Sequence, residues 1–432
     1  MMRNGEPVAR IDIVQADGRW RRVDNPRVEQ NQMTHSDSRC PFADDFDATA
    51  AESFDGAHEN YRRLRDEAPV AYSSGYGGFY ALTRFEDVEK AARDSTRFIS
   101  SVRAVVPSDP RGIRRPPLNF DAPAHSPFRR ALDRTLHHSR LERLAPRLRA
   151  HAEREIQPFL DAGTSDICRS FGTIYPAFTA AEWLNLDRDQ VYRLASVSSD
   201  WVDAWRRQDG ETVTARSNEM YDMARALVAD RRANPRPVET DPASSLLAEE
   251  YEGAPLAEEL VVGALRQSLV VGLVAPPILL GGICVHLSRD QDLQSRLRAD
   301  PALIPAALEE FIRLYTPYRG FARTVSEPVE VHGRLIEPGV PVTLVYASAN
   351  RDERVFPDPD AFVLDRSNIS RHMGFGRGRH RCVGMALARL SLRIALEVLL
   401  ERTQSFDVAG EIEMTRMPEL GAQSVPLRVV PA

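Results

Sequence analysis

The chain has 432 residues, 43% of them hydrophobic and 27% charged, with a formal net charge of −6. That balance supplies a large apolar core and excludes a disordered or fibrous chain, and the slight acidic excess gives no basis for nucleic acid or an anionic membrane as partner. The four cysteines, Cys40, Cys168, Cys284 and Cys382, are scattered without a CxxC pair, which argues against a disulfide framework or a zinc ribbon.

Residues 1–42 are polar, rich in Arg, Asn, Gln and Asp, and carry no apolar stretch of the signal-peptide kind. They are expected to form a loose, disordered tail ahead of a single domain over 43–432, in a cytoplasmic protein. From residue 43 onward there is no repeat, low-complexity linker or shift of composition. "GGFYALTRFEDVEKAARD" (77–94) reads as a short strand running into a helix. The loop 102–120 carries Arg111, Arg114 and Arg115, either solvated or placed to meet an anionic substrate. In "DAPAHSPFRRAL", His125 and Arg129 stand four apart, on one face if the segment is helical, and cations there suit a carboxylate. "LERLAPRLRAHAEREIQPFLDAG" has helical periodicity up to Gly163. The fold class is therefore mainly α with small β-sheets.

The run "SLVVGLVAPPILLGGICVHL", Ser268 to Leu287, is long enough for a membrane span, but its paired prolines and amphipathic flanks favour a buried helix in a protein without a membrane partner. Pro276 and Pro277 delete the bonds to the carbonyls of Gly272 and Leu273, and the helix is expected to break there. Each freed carbonyl costs on the order of 1–3 kcal/mol if nothing meets it. Two readings stay open: a fixed groove lined by backbone acceptors, or a kink in a packed helix. Further on, "EEFIR" places Glu310 and Arg313 on one face of a helix begun near Pro305, as an ion pair. "PVEVHGRLIEPGVPVTLVYASAN" (328–350) predicts paired short strands with a turn at Pro338–Gly339.

"MGFGRGRHRCVGMALARLSLRIALEVLLER" follows, with glycines around Cys382 and a helical pattern after Gly384. A cysteine at a helix tip beside Arg379, His380 and Arg381 is expected to favour thiolate, and a thiolate in such a loop can be a single axial ligand for haem iron. The alternative is an inert cysteine in a turn. The pattern Phe375-Gly376-x-Gly378-x-His380-x-Cys382-x-Gly384 resembles, position for position, the haem-binding loop of the cytochrome P-450 family. Glu310 and Arg313 resemble that family's buried Glu–Arg pair, and residues 350–366 its meander.

The resemblance implies the family's triangular helical prism, with haem b (iron protoporphyrin IX) between the long central helix and the helix after Cys382. It implies Cys382 as axial ligand, and His125, Arg129, Arg323 and His380 as propionate contacts. It places Gly272 beside the oxygen site, where an acid and then a threonine ordinarily follow; this chain has Val274, Ala275 and Pro276 instead. Oxygen activation consumes two protons, which would come through ordered water or from the substrate; peroxide as oxidant, or coupling, cyclisation or desaturation chemistry, are the other routes. Partners expected on the resemblance are a small or medium organic substrate and a separate ferredoxin with its reductase, since no reductase domain follows the last helix. Arg377, Arg379 and Arg381 would offer a basic patch to an acidic ferredoxin. A haem sensor or a catalytically dead scaffold are the rivals from other classes.

Overall fold

The computed structural model describes residues 44–108 and 112–432, together with strand residues 2–3, 6–7, 10–14 and 20–24. Within the segment expected as a loose tail, Arg10–Val14 pairs antiparallel with Trp20–Asp24, and Met2–Arg3 with Glu6–Pro7. Arg111 and Cys40 lie outside the described residues.

The longest apolar run forms the longest helix, Glu258–Arg289, 32 residues. Glu258 and Glu259 sit in its first turn and Arg289 in its last, each sign matched to the helix dipole. The helix is long and apolar enough to cross a membrane, but 72% of its most apolar stretch is buried within the protein. Helices Phe171–Leu184, Arg188–Arg206 and Gly210–Ala233 pack around it.

The expected break at Pro276–Pro277 does not occur, and the helix runs through both prolines. Proline's fixed φ is itself helical, so the cost lies in lost hydrogen bonds rather than in geometry. Packing meets that cost: the helix Phe171–Leu184 crosses here so closely that a Cβ on Gly172 would stand 3.4 Å from Pro277 Cα. The carbonyls of Gly272 and Leu273 are nevertheless left without their helical donors.

A five-stranded sheet runs in the order Val70–Ser73, Phe79–Leu82, Pro341–Leu344, Phe321–Val325, Phe98–Ile99. It is antiparallel except where Phe79–Leu82 lies parallel to Pro341–Leu344, Val342 opposite Tyr80. The expected strand-to-helix step is present, with Phe85–Arg93 following Phe79–Leu82. The helical stretch up to Gly163 is split into His138–Glu155 and Gln157–Ala162.

The expected hairpin is displaced. Val329–Val331 pairs with Arg334–Ile336 around His332–Gly333, whose φ values of 49° and 75° suit a two-residue turn. Pro338–Gly339 is a turn as well, but it carries the chain from that hairpin into the strand Pro341–Leu344 of the larger sheet.

Candidate active site

Cys382 follows a tight loop closed by its own N–H to the carbonyl of Phe375 at 2.9 Å. Gly378 holds φ at 70°, and its missing side chain lets the loop press on the carbonyl of Ala92, at the end of the helix Phe85–Arg93. No other residue fits there. Gly376, φ 71°, makes the second left-handed step. Gly384 caps the helix Met385–Glu401, and the space above its Cα is open. Arg389 stacks on Phe375, its guanidinium carbon 4.7 Å from the ring centre.

The Cys382 side chain is exposed rather than packed. Across the fold, Val271, 43% exposed, and Gly272 are the only exposed residues of the central helix between Val261 and Leu287. A Cβ on Gly272 would meet nothing within 4 Å. The thiol itself stands above its ordinary range. Desolvation outweighs the N–H of Gly384 and the charges of Arg129, Arg389 and Arg381, which pull it down. The helix tip and the arginines favour the thiolate as expected, desolvation opposes them in the free thiol, and a bound metal cation would tip the balance to the thiolate.

His125, Arg129, Arg323 and His380 come together. The rings of His125 and His380 meet edge to face at 4.7 Å, and the Nε2 atom of each is buried with no partner. Arg129 donates to the carbonyl of Arg381 and, from Nε, to Asp133 at 2.8 Å. Arg323 is 3% exposed, donates to the carbonyl of Ala322 at 2.7 Å, and has no acidic partner among the described residues. Burial first, then Arg323, His125, Arg129 and Arg379, push His380 down to about 2; burial, Arg129 and Arg379 push His125 down to about 4. A buried, uncompensated guanidinium beside neutral imidazoles is unfavourable by itself and suits a carboxylate partner. The residues therefore fit a flat group with a metal centre over Cys382 and acidic arms among these cations.

Behind the loop, Arg313 grips Glu310 through two bonds of 2.8 and 2.7 Å, both residues 0% exposed. Arg313 also donates to the carbonyls of Asn350, Pro359 and Ala361, which ties the helix Ile304–Leu314 to the meander as expected. Two partners went unforeseen. Arg366 donates to Glu310 at 2.9 Å, completing a triad. Glu309 joins Arg389, at 2.6 and 2.7 Å, to His372 at 3.0 Å; burial pushes its carboxyl up, but His372 and Arg389 outweigh that and hold it at about 2. Nothing local marks either pairing, since the partners lie 56 to 80 residues apart.

Comparison with known proteins agrees with this geometry. The family model for cytochrome P-450 matches residues 283–425. The chain is 31% identical to "Linalool 8-monooxygenase" of Pseudomonas putida over 392 residues, 87% of this chain and 96% of the relative. It is 30% identical to "Cyclomarin C epoxidase CymV" of Salinispora arenicola over 370 residues, 83% and 93% of the two. Among solved structures, CYP109Q5 from Chondromyces apiculatus superposes with a TM-score of 0.80 at 27% identity, covering 90% of this chain and 98% of that one. Identity above 30% over nearly the full length of a relative, together with the shared fold, carries the assignment: the chain belongs to the cytochrome P-450 family, haem b oxidoreductases of the monooxygenase type.

Proposed function

We propose that this chain is a cytoplasmic monooxygenase that oxidises a small to medium, mostly apolar organic molecule with dioxygen, drawing electrons from a separate ferredoxin and ferredoxin reductase. The observation that carries the proposal is an exposed cysteine at a helix tip beside buried polar groups left unmet, the Nε2 atoms of His125 and His380 and the Arg323 guanidinium, which has no acidic partner among the described residues. Haem, when bound there, would supply oxygen activation, and Cys382 would be its protein ligand. His125, Arg129, Arg323 and His380 hold its propionates, and Phe375, Gly376, Gly378 and Gly384 shape the loop beneath it.

On the substrate side, the rings of Tyr318 and Phe321 lie tilted with centres 5.0 Å apart, and Tyr318 packs against the apolar cluster that includes Val270, Val274 and Ile278. Such walls exclude water and orient an apolar molecule by shape. Similarity to a protein named for linalool favours a small molecule of that character. Val274, Ala275 and Pro276 offer no proton-bearing side chain, so water held at the freed carbonyls of Gly272 and Leu273 is one path for protons. Arg379 and Arg381 are exposed and would steer an acidic ferredoxin.

A second reading, peroxide-driven or atypical chemistry such as coupling, cyclisation or desaturation, is favoured by that same missing pair. The test is a ligand library screened for the high-spin shift of the ferric protein. Hits are then turned over with ferredoxin and NAD(P)H against peroxide, and products identified by mass spectrometry. Product with ferredoxin supports the proposal, and product with peroxide alone supports the second reading. No spin shift and no product with either would leave a haem sensor.

A further inference from the structure

The central helix bears neither acid nor alcohol at Val274, Ala275 and Pro276, yet two other segments bring an acid and a hydroxyl opposite each other across a backbone bridge, the hydroxyl's ring packed on the cluster that contains Val274. Tyr318, just after the Glu310 helix, packs against the apolar cluster to which Val270, Val274 and Ile278 of the central helix belong. Its backbone bridges antiparallel to Glu419, held by Arg319 N–H to the carbonyl of Pro418 at 2.9 Å and Leu420 N–H to that of Pro317 at 3.0 Å.

Glu419 is 0% exposed. Its Oε2 accepts from Arg206 Nε at 2.7 Å, while Oε1 is buried with no partner. A bare carboxylate oxygen is costly in such a place, and a protonated one less so. Burial raises the Glu419 carboxyl, Asp203 adds to that, and Arg206 and Arg319 oppose it. Burial, then Glu419, raise the Tyr318 phenol, against Arg206, and the backbone bridge sets the two side chains directly opposite one another. Arg206 also lines, with Asp203, Ser198 and Thr173, a cavity of about 60 Å³ that reaches Leu273 and Pro277. At about 10–15 Å³ per water, that is room for several.

We propose that Tyr318 and Glu419 are this chain's own hydroxyl–acid pair: Tyr318 Oη delivers protons for oxygen activation, Glu419 Oε1 replaces them, and water in the Arg206-lined cavity recharges Glu419. The inference rests on the monooxygenase reading above. In each transfer one O–H bond breaks as the next forms. Tyr318 releases its phenolic proton and takes that of Glu419; the carboxylate so formed, beside Arg206, takes a proton arriving from solvent. No electron moves among them. In this relay Tyr318 would be the donor to the oxygen, and Glu419 a positioning and proton-holding residue that acts through it.

The first test needs no turnover. Infrared difference spectra of the haem-loaded protein should contain a protonated-carboxyl band at neutral pH that shifts in heavy water, is absent in Glu419→Gln and persists in Tyr318→Phe. With ferredoxin, Tyr318→Phe should lower product per oxygen consumed by about tenfold or more and raise released peroxide. Glu419→Asp should recover part of what Glu419→Gln loses, and the coupling of wild type, unlike that of Glu419→Gln, should fall as pH rises. Peroxide-driven turnover, whose oxidant brings its own protons, should fall far less than oxygen-driven turnover in both variants. Tyr318→Phe removes a single oxygen atom, so it carries the test if Glu419→Gln does not fold. The pair is refuted if no carboxyl band depends on Glu419, or if Tyr318→Phe keeps product per oxygen within about twofold of wild type. If wild type yields no product with either oxidant, the monooxygenase reading fails instead, and the infrared band still decides whether Glu419 carries a proton.

Discussion

The cysteine loop and the central helix are held in place on opposite principles. On the cysteine side, Glu310, Arg313 and Arg366 form a buried triad, and Glu309 staples the same helix to Arg389 and His372. Every carboxylate of these pairs is bonded, and several carbonyls of the meander are used as well. On the central-helix side, two consecutive prolines remove hydrogen bonds, and apolar contacts with Tyr318 and the helix Phe171–Leu184 hold the wall. A face that must present one cofactor is over-determined by charge and hydrogen bonds. A face that must meet a substrate is held by packing, which tolerates change in side-chain identity.

The largest expected effect tests the over-determined face at its centre. Cys382→Ser should abolish the absorption signature of thiolate coordination in the reduced, carbon-monoxide-treated holoprotein; persistence of that signature would break the assignment of the axial ligand. Next, Arg366→Met takes one partner from a fully buried carboxylate. It should lower stability by about 3–5 kcal/mol, read from denaturant unfolding of the haem-loaded protein. A loss below about 1 kcal/mol would mean the triad is dispensable and the contrast between the faces overstated.

Glu309 sharpens the same contrast through pH. Its carboxyl titrates at about 2 when folded against an ordinary 4.5, so its contribution is complete above the unfolded value and disappears as pH falls through the folded one. The stability gap between wild type and Glu309→Gln should therefore be at most on the order of 3 kcal/mol at neutral pH and should close as the pH falls from about 4.5 to about 2. A gap independent of pH would assign the loss to packing.

The cysteine loop was legible because its signal is local: Phe375 to Gly384 spans a single turn and cap, and the glycines mark where backbone must pass closely. His125 and Arg129, four apart on one helix, were legible for the same reason. Arg366 and the Glu419–Arg206 pair were not, because partners as much as 213 residues apart leave no spacing to read. The hairpin went astray because Pro338–Gly339 is a strong turn signal, whereas His332 at positive φ is an unusual choice whose fitness only the pairing reveals. The uninterrupted central helix was misread for a different reason: local propensity predicts a break at paired prolines, and tertiary packing overrides it.

That override yields the smallest predicted effect. Pro276→Ala restores a donor to the carbonyl of Gly272, which the helix geometry already positions. Proline in a helix interior is about 3 kcal/mol worse than alanine, but Gly272 is exposed and its carbonyl can meet solvent, so the net gain should be about 1 kcal/mol in thermal or denaturant unfolding. If the prolines serve a substrate groove, that gain should come with weaker spin-shift titrations by ligands bearing a hydroxyl or amine, and with unchanged titrations by ligands lacking one. Stabilisation with every ligand unaffected would mean that the freed carbonyls face water alone. Destabilisation would mean that Pro276 is a packing residue, and that this face too is fixed more tightly than its missing hydrogen bonds suggest.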